Sequence, residues 1–548
     1  MKSVGTCIRA LGKMSGPARR WMLVSVLLGL VRIAASLSFV WVCKELVDIV
    51  TGASEAELSG RIIIMVCVMT TQILCGIGSS YCEKYGLVTV QNSLRSELFG
   101  RLLDSEWNGR EHFNSGDAVN RLEEDIRVVS ELLCNHIPSA AVTLCQLVAA
   151  SAYLLLMSPR LLWVLLILMF VAIVGSRLFF FKLRGLTNDI RALDSDIQQL
   201  IQENLQNRVV TLTLIGVARV MSTLGSAQAR LKGKTVNRIN CNAVARGFMS
   251  LGFTGGYASA FLWGIFGIRN GTVSFGMMTA FLQLVGQVQR PIADLARELP
   301  AFIHALTSIE RLMEIEALPA EEDGEEWTAD GAAGVRFEGV SFRYSEQSPE
   351  VLNDFSHDFK PGSLTVIAGP TGVGKSTTVR LMLGLLKPQS GSVSIYDSSS
   401  SCKASKPSRG NFRYVPQGNT LMSGTIRENL LLGDASATDE RMREALHTAA
   451  ADFVFDLPDG WDSICGESGS GLSEGQCQRI AIARALLHRG GILLLDESTS
   501  SLDPETESRL ISNLRSAITD GNGQKLTVIF ISHREAVMAS ADELLRIE

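Results

Sequence analysis

The sequence predicts two fold classes in one chain: an all-α membrane domain of six transmembrane helices, then an α/β domain built around a phosphate-binding loop. Three observations carry that expectation. Six apolar stretches of near-membrane length fill the first part, a glycine-rich turn ending in Lys375 and Ser376 follows a strand-like run, and a second apolar run from Ile492 ends in Asp496 and Glu497. At 548 residues, 46% hydrophobic and 20% charged, with a mean hydropathy of +0.20, the chain is too long for one domain and too apolar for an ordinary soluble one. Charge divides in the same place. Residues 1 to 320 hold 30 Lys+Arg against 23 Asp+Glu, and the rest hold 21 against 33. A basic first part and an acidic second part suit a membrane segment and a soluble domain, and give no nucleic-acid footprint. The 11 cysteines show no C-x-x-C pair and read as reduced thiols rather than a disulfide framework.

The apolar stretches lie at 21 to 43, 61 to 82, 136 to 157, 161 to 181, 247 to 268 and 274 to 293, each near the ~20 residues that cross hydrocarbon as helix. With the N-terminus inside, the outer loops hold only Lys44, Arg61, Arg160 and Arg269, so the excess of basic residues places both termini in the cytosol. The outer connections near 158 to 160 and 269 to 273 are short, whereas the inner ones, 83 to 135 and 182 to 246, are long, polar and helix-prone. They would carry the bundle well beyond the bilayer. Phe113 to Asp117 interrupts the first of them, and Arg121 and Asp125 follow at helical spacing. In the second, the apolar run Val209 to Ile215 is either a seam between long helices or a docking element for the following domain. Arg32, inside the first span, either lines a cavity or forms a structural ion pair. Gly76 and Ser80 read as a close helix contact.

An acidic, small-residue stretch from Pro319 to Gly334 marks a linker. The expected domains are therefore 1–318 (membrane), 319–334 (linker) and 335–548 (nucleotide-binding). Strand-like runs begin at Val335, Leu364, Ser390, Ile492 and Leu526, and alternate with helices such as Lys375 to Leu386 and Glu474 to His488, indicating a largely parallel sheet. Residues 397 to 411 are low-complexity and read as a surface loop. In the phosphate loop, Gly369, Gly372 and Gly374 let backbone N–H groups turn toward an anion at a helix N-terminus. Lys375 adds a charge for the β- and γ-phosphates, and Ser376 a hydroxyl for Mg²⁺. Asp496 can hold the metal and Glu497 can polarise a water.

Leu472-Ser473-Glu474-Gly475-Gln476 opens a helix just before the carboxylate strand, Asp503 follows that strand, His533 closes the last apolar run and Gln417 lies between. On these residues the chain resembles the ATP-binding cassette (ABC) family, and with the spans before them it resembles an exporter-type half-transporter over essentially its whole length. The resemblance implies that Tyr344 stacks on adenine and that Gly369, Pro370, Thr371, Gly372, Val373, Gly374, Lys375, Ser376 and Thr377 hold the phosphates of ATP. Ser376, Gln417 and Asp496 would serve Mg²⁺, Glu497 would be the general base, and His533 would touch the γ-phosphate. Leu472, Ser473, Gly475 and Gln476 would contact the nucleotide of a second subunit, Asp503 would lie at the subunit boundary, and Glu467 would belong to a loop sensing the membrane domain. On residue type alone Tyr344 also reads as a packed aromatic, His533 as a surface histidine and Ser473 as a simple N-cap. Glu474 departs from the family, which has glycine there, and Ser468 stands where a basic residue is common.

These features imply an integral protein of the plasma (inner) membrane, working as a homodimer, with a heterodimer as the other option. It would move an amphipathic or hydrophobic substrate (lipid, drug or peptide) by alternating access at the expense of ATP. The alternative is a nucleotide-gated channel or regulatory membrane protein.

Overall fold

The structure is a computed structural model and describes residues 4–107, 115–345, 347–370, 372–466, 471–519 and 526–547. It forms two compact units. The first comprises Met1–Phe99 with Ala118–Glu316, the second Gly100–Asp117 with Ala317–Glu548.

The first unit is all helix: α1 (Val4–Met14), α2 (Arg19–Val50), α3 (Leu58–Leu103), α4 (Gly116–Met157), α5 (Pro159–Arg177), α6 (Phe180–Gln206), α7 (Val217–Arg269) and α8 (Phe275–Glu316). Among the described residues, five segments are long and apolar enough to cross a membrane: Gly16–Val50, α3, α4, α5 and α7. The expected sixth stretch, 274 to 293, lies in α8 but falls outside that set. Its sequence shows why. Phe281, Leu284, Val285 and Val288 form one buried stripe at helical spacing, while Gln283, Gln287, Gln289 and Arg290 interrupt it. That stripe meets Val40 of α2, Leu154 of α4, Leu161 and Leu165 of α5 and Ala260 of α7 in one apolar core.

Long extensions of α4 and α8 are tied by polar contacts. Arg121 donates to the Arg311 carbonyl (2.9 Å) and to Glu314 (2.6 Å), and Asp125 accepts from Ser308 at 2.6 Å. Two π-helical turns, Arg121–Asp125 and Leu132–His136, lie within α4. Gly76 corrects the expectation of close helix packing: nothing lies within 4 Å of a side chain added there. Close approach occurs instead at Gly252, where an added Cβ would lie 2.6 Å from the Ala172 Cβ. The run Val209 to Ile215 is a short helical turn whose Val209 and Leu214 side chains are exposed, so it is not a buried seam.

The second unit is α/β. An antiparallel sheet contains β1 (Gly334–Phe342), β2 (Leu352–Phe359), β4 (Ser390–Tyr396) and β5 (Ser401–Lys403) in the order β2-β1-β4-β5. A parallel sheet contains β3 (Leu364–Ala368), β6 (Phe412–Val415), β9 (Ile492–Asp496), β10 (Thr527–Ile531) and β11 (Glu543–Arg546) in the order β11-β3-β10-β9-β6. A two-residue pair, β7 (Gly424–Thr425) and β8 (Ile464–Cys465), completes the strands among the described residues. The antiparallel sheet was not foreseen, because its strands carry polar residues on one face and lack the continuous apolar runs of a strand buried on both sides.

The expected surface loop at 397 to 411 is also more ordered than its composition suggests. Asp397 accepts backbone N–H bonds from Ser399 and Ser400, and Ser405 and Ser408 form a reciprocal cap that starts a turn with Ser408 and Asn411 buried. The low-complexity residues are there for their hydroxyls. Onto this region lies the acidic stretch. Arg409 grips Glu321 with two bonds of 2.7 and 2.5 Å, and Lys406 meets Asp323 at 2.8 Å. Residues 100–107 belong here as well: the Glu106 N–H donates to the Pro319 carbonyl, and Trp107 packs on the core of the second unit beneath the Arg380 guanidinium.

Candidate active site

Strand order brings the chemistry together. Strand β10 pairs with β3 on one side and β9 on the other, and the register sets Ile531 level with both Ile367 and Asp496. The segments leaving the carboxyl ends of these three strands carry the phosphate loop, Asp496-Glu497 and His533, so one edge of the sheet receives all three.

In the phosphate loop the glycines are required by the backbone. Gly372 and Gly374 have φ of +89° and +110°, the left-handed region, and a Cβ on Gly369 would lie 2.3 Å from the Ile547 carbonyl oxygen. Gly374 precedes α9 (Lys375–Met382). Pro370 is exposed, Val373 packs on the core of the unit, Ser376 is half-buried, Thr377 is buried, and Thr371 lies outside the described residues. Lys375 is buried and its ammonium donates to the Gly369 carbonyl (2.6 Å), the Pro370 carbonyl (3.2 Å) and His533 Nε2 (2.7 Å). An ammonium can only donate, so Nε2 is the acceptor and the ring carries its proton on Nδ1. Burial pulls the Lys375 pKa below its ordinary value, partly offset by Glu497 and Asp496.

Glu497 closes the cluster. Its carboxylate accepts from Gln417 Nε2 at 2.7 Å and lies 3.5 Å from His533 Nε2. Its backbone has φ of +49°, in the left-handed region although it is not glycine, and its N–H donates to the Ile531 carbonyl at 3.1 Å. Asp496 is buried beside it, and burial followed by the Glu497 charge pushes its carboxyl up to about 6. A carboxylate so destabilised is a ready ligand for a hard cation, and the half-buried Ser376 hydroxyl and the exposed Gln417 amide add neutral oxygens. The donor set fits Mg²⁺ completed by water and nucleotide oxygens.

Tyr344 follows β1 edge-on to Phe342. Its hydroxyl lies 3.0 Å from Thr377 Oγ1 and accepts from Arg380 at 3.0 Å. Arg380 escaped the sequence reading, since nothing local marks it. Its role depends on Tyr344, Trp107 and the nearby Asp496, all distant in sequence.

Ser473 is the N-cap of α10 (Glu474–Leu487): its Oγ accepts from the Gln476 N–H, and Gln476 Oε1 accepts from the Ser473 N–H at 2.9 Å. Glu474 is exposed, as expected if it points away, and Leu472 packs against the core. Gly475 faces the turn after β9 closely enough that a Cβ would lie 2.7 Å from the Ser501 carbonyl oxygen. That turn ends at Asp503, whose carboxylate accepts from the Thr506 N–H at 2.9 Å and is held below its ordinary pKa by that bond. Among the described residues no hydrogen bond joins Leu472–Gln476 to the phosphate loop of the same chain. Phe113, Glu467 and Ser468 lie outside the described residues.

Residues 22–292 match the family model for the ABC transporter transmembrane region, and residues 352–500 match the ABC transporter model. The chain belongs to the ABC transporter family. Among relatives of this ABC transporter, the leukotoxin translocation ATP-binding protein LktB of Pasteurella haemolytica-like sp. (strain 5943B) is 33% identical over 332 residues, which is 60% of this chain and 43% of that one. LktB of Mannheimia glucosida gives the same identity and coverage. The match thus spans less than half the length of these curated relatives. A solved bacterial Atm1-family ABC exporter with ATP bound shares the fold, with a TM-score of 0.77 at 23% identity, covering 97% of this chain and 93% of the other.

Proposed function

We propose that this ABC transporter is an ATP-driven exporter that works as a dimer. The observation that carries the reading is the convergence of Lys375, Gln417, Glu497 and His533 at one sheet edge, a set able to bind, orient and cleave a phosphoanhydride. Lys375, freed from Gly369 and Pro370, would meet the β- and γ-phosphates, and the loop amides would hold the rest. Glu497, held by Gln417, would accept a proton from the attacking water, while His533 would contact the γ-phosphate. Asp496, Ser376 and Gln417 would hold Mg²⁺, which supplies charge neutralisation on the phosphates when bound.

The second half of each site would come from a second copy. Ser473 and Gly475 sit at a helix N-terminus suited to an anion, and both half-sites are complete in this sequence, which favours a homodimer over a heterodimer. The exposed Val209–Ile215 turn is the docking element through which cassette closure would reach the membrane helices. In this reading α8 is the sixth span, and both termini and the cassette face the cytosol. The substrate is a lipid, drug or peptide of amphipathic character. Tyr344 would face adenine, with its hydroxyl already fixed by Thr377 and Arg380.

Glu497→Gln tests the core of the reading in proteoliposomes: ATP binding should persist while steady-state ATPase falls by about 10²–10⁴-fold, the usual worth of a general base. Undiminished turnover would remove Glu497 from that role. A single ATP per dimer, or full turnover in a monomer, would remove the shared site.

A further inference from the structure

Between α2, α3 and α4 lies a polar cavity of about 180 Å³ that the ATP chemistry does not use. Its walls include Ser25 and Arg32 of α2, Ser79 and Glu83 of α3, and Asn135 and Gln146 of α4. Polar and charged groups are costly in segments otherwise apolar enough to span a bilayer, so a lining of this kind marks a functional site.

A hydrogen bond of 3.0 Å between the Ser25 and Ser79 hydroxyls fixes the relative level of α2 and α3. Arg32 lies seven residues beyond Ser25, or ~10 Å further along α2, whereas Glu83 lies four residues beyond Ser79 on a helix of opposite direction, ~6 Å the other way. On α4, Asn135 and Gln146 are separated by ~16 Å in the same sense. The lining therefore runs from Glu83 and Asn135, nearer the side of the membrane where α2 begins, to Arg32 and Gln146 deeper along the helices. Arg32 is centred in the apolar stretch 21 to 43, ~16 Å from each end, farther than an arginine side chain extends toward water. It is exposed in the protomer, and among the described residues it has no hydrogen-bond or ion-pair partner. Glu83, ~16 Å away along the helix axes, is too distant to neutralise it. Next to the lining, Val31 and Ile77 are exposed apolar side chains.

A fixed cation at mid-membrane depth, lining a polar cavity and flanked by apolar surface, calls for an anion brought by an apolar carrier. We propose that this cavity is a headgroup site for the exported molecule, and that it takes an amphiphile whose phosphate, sulfate or carboxylate is met by Arg32 and Gln146. Its volume suits a headgroup rather than a whole drug-sized ligand, for which pockets run to roughly 300–1,000 Å³. Only the word "exported" rests on the transport reading above.

The test uses the full-length protein in nanodiscs of zwitterionic lipid without nucleotide, and four labelled probes: dodecyl phosphate, dodecyl maltoside, dodecyltrimethylammonium and inorganic phosphate. Dodecyl phosphate should bind at least about tenfold more tightly than the neutral and cationic probes, as expected for one charge-assisted pair away from bulk water. Arg32→Met should abolish that preference while leaving dodecyl maltoside affinity intact, and Arg32→Lys should keep part of it. If the methionine variant does not fold, Gln146→Leu should weaken the phosphate probe alone. Equal binding of the three amphiphiles, or a preference that survives Arg32→Met, overturns the site. Inorganic phosphate binding as tightly as dodecyl phosphate overturns the amphiphile in favour of a soluble anion. ATP-driven uptake of dodecyl phosphate into inverted vesicles reads the transport claim separately: no uptake with the preference intact sinks export and leaves the site standing.

Discussion

Glu497 combines the proposed chemical role with a strained backbone, and substitution can separate the two. Its φ of +49° costs an L-residue about 1–2 kcal/mol relative to the right-handed region. The strain is held in place by its N–H bond to Ile531 and by the grip of Gln417 on its carboxylate. Glu497→Ala removes the carboxylate and keeps the strain. Glu497→Gly removes both, but adds about 0.5–1 kcal/mol of unfolded-state entropy. The glycine variant should therefore be more stable than the alanine variant by roughly 0.5–1 kcal/mol, while both lose ATPase turnover by about 10²–10⁴-fold. Nucleotide-free thermal unfolding in detergent would show this as a midpoint higher by about 1–4 °C in the glycine variant. An alanine variant as stable as glycine would show that the left-handed backbone is not costly here. Turnover surviving in either variant would show that the carboxylate is not the base.

Ser473→Asp should keep the N-cap, since aspartate caps as well as serine, so the melting midpoint should hold while ATPase falls at least about tenfold, because the proposed shared site would set that carboxylate against the γ-phosphate; unchanged turnover would reduce Ser473 to a cap. Arg409→Ala should cost roughly 2–3 kcal/mol, because it removes a two-bond pair with the mostly buried Glu321 and bonds to the Leu383 and Gly384 carbonyls. Limited proteolysis within residues 319 to 334 should accelerate with it. Burial holds the His357 pKa below its ordinary 6.5, so as pH falls through 6.5 the unfolded chain takes up a proton that the folded chain resists, and stability declines. His357→Leu should flatten that decline between pH 7.5 and 5.5 relative to the parent, and identical slopes would exclude His357 as its source.

The phosphate loop and the Asp496-Glu497 strand end were legible because each is a local pattern: an apolar run buried on both faces, then a turn whose glycines the backbone demands. Their meeting was legible only through family resemblance, since nothing in β3, β9 or β10 alone states that β10 lies between the other two. The features that were missed depend on partners far along the chain. Arg380 is an ordinary helix residue until Trp107 and Tyr344 come to its side. Gly76 and Ser80 carry the small-residue spacing of a helix contact, yet they line a cavity with Arg32, because the close approach to α2 is made elsewhere, by Val142 against Gly29. The stretch at 274 to 293 was long enough for a span, but Gln283, Gln287 and Arg290 lie off the stripe that builds the core and Gln289 is buried beside it against the Gly252 carbonyl, and length alone does not distinguish a helix with one buried face from one that is apolar all round.

Hydrogen bonding in the cluster has a consequence for how nucleotide would act. Lys375 spends donors on Gly369, Pro370 and His533, so phosphates that recruit it must displace contacts within its own loop and loosen His533. His533 is 3.5 Å from Glu497, and its neighbour Arg534 donates to the Ser500 carbonyl and pairs with the buried Glu507 at 3.0 Å. In the proposed mechanism, release of Lys375 would thereby reach, through two adjacent residues of one loop, the turn that ends at Asp503 and lies against Gly475. Arg534→Ala should break that link within the chain: ATP affinity at the phosphate loop should hold, whereas the dependence of turnover on protein concentration, which reads association of two copies, should shift to higher concentration. If both quantities stay at parental values, the Ser500–Asp503 turn does not report on the phosphate loop, and the two halves of the site are positioned independently.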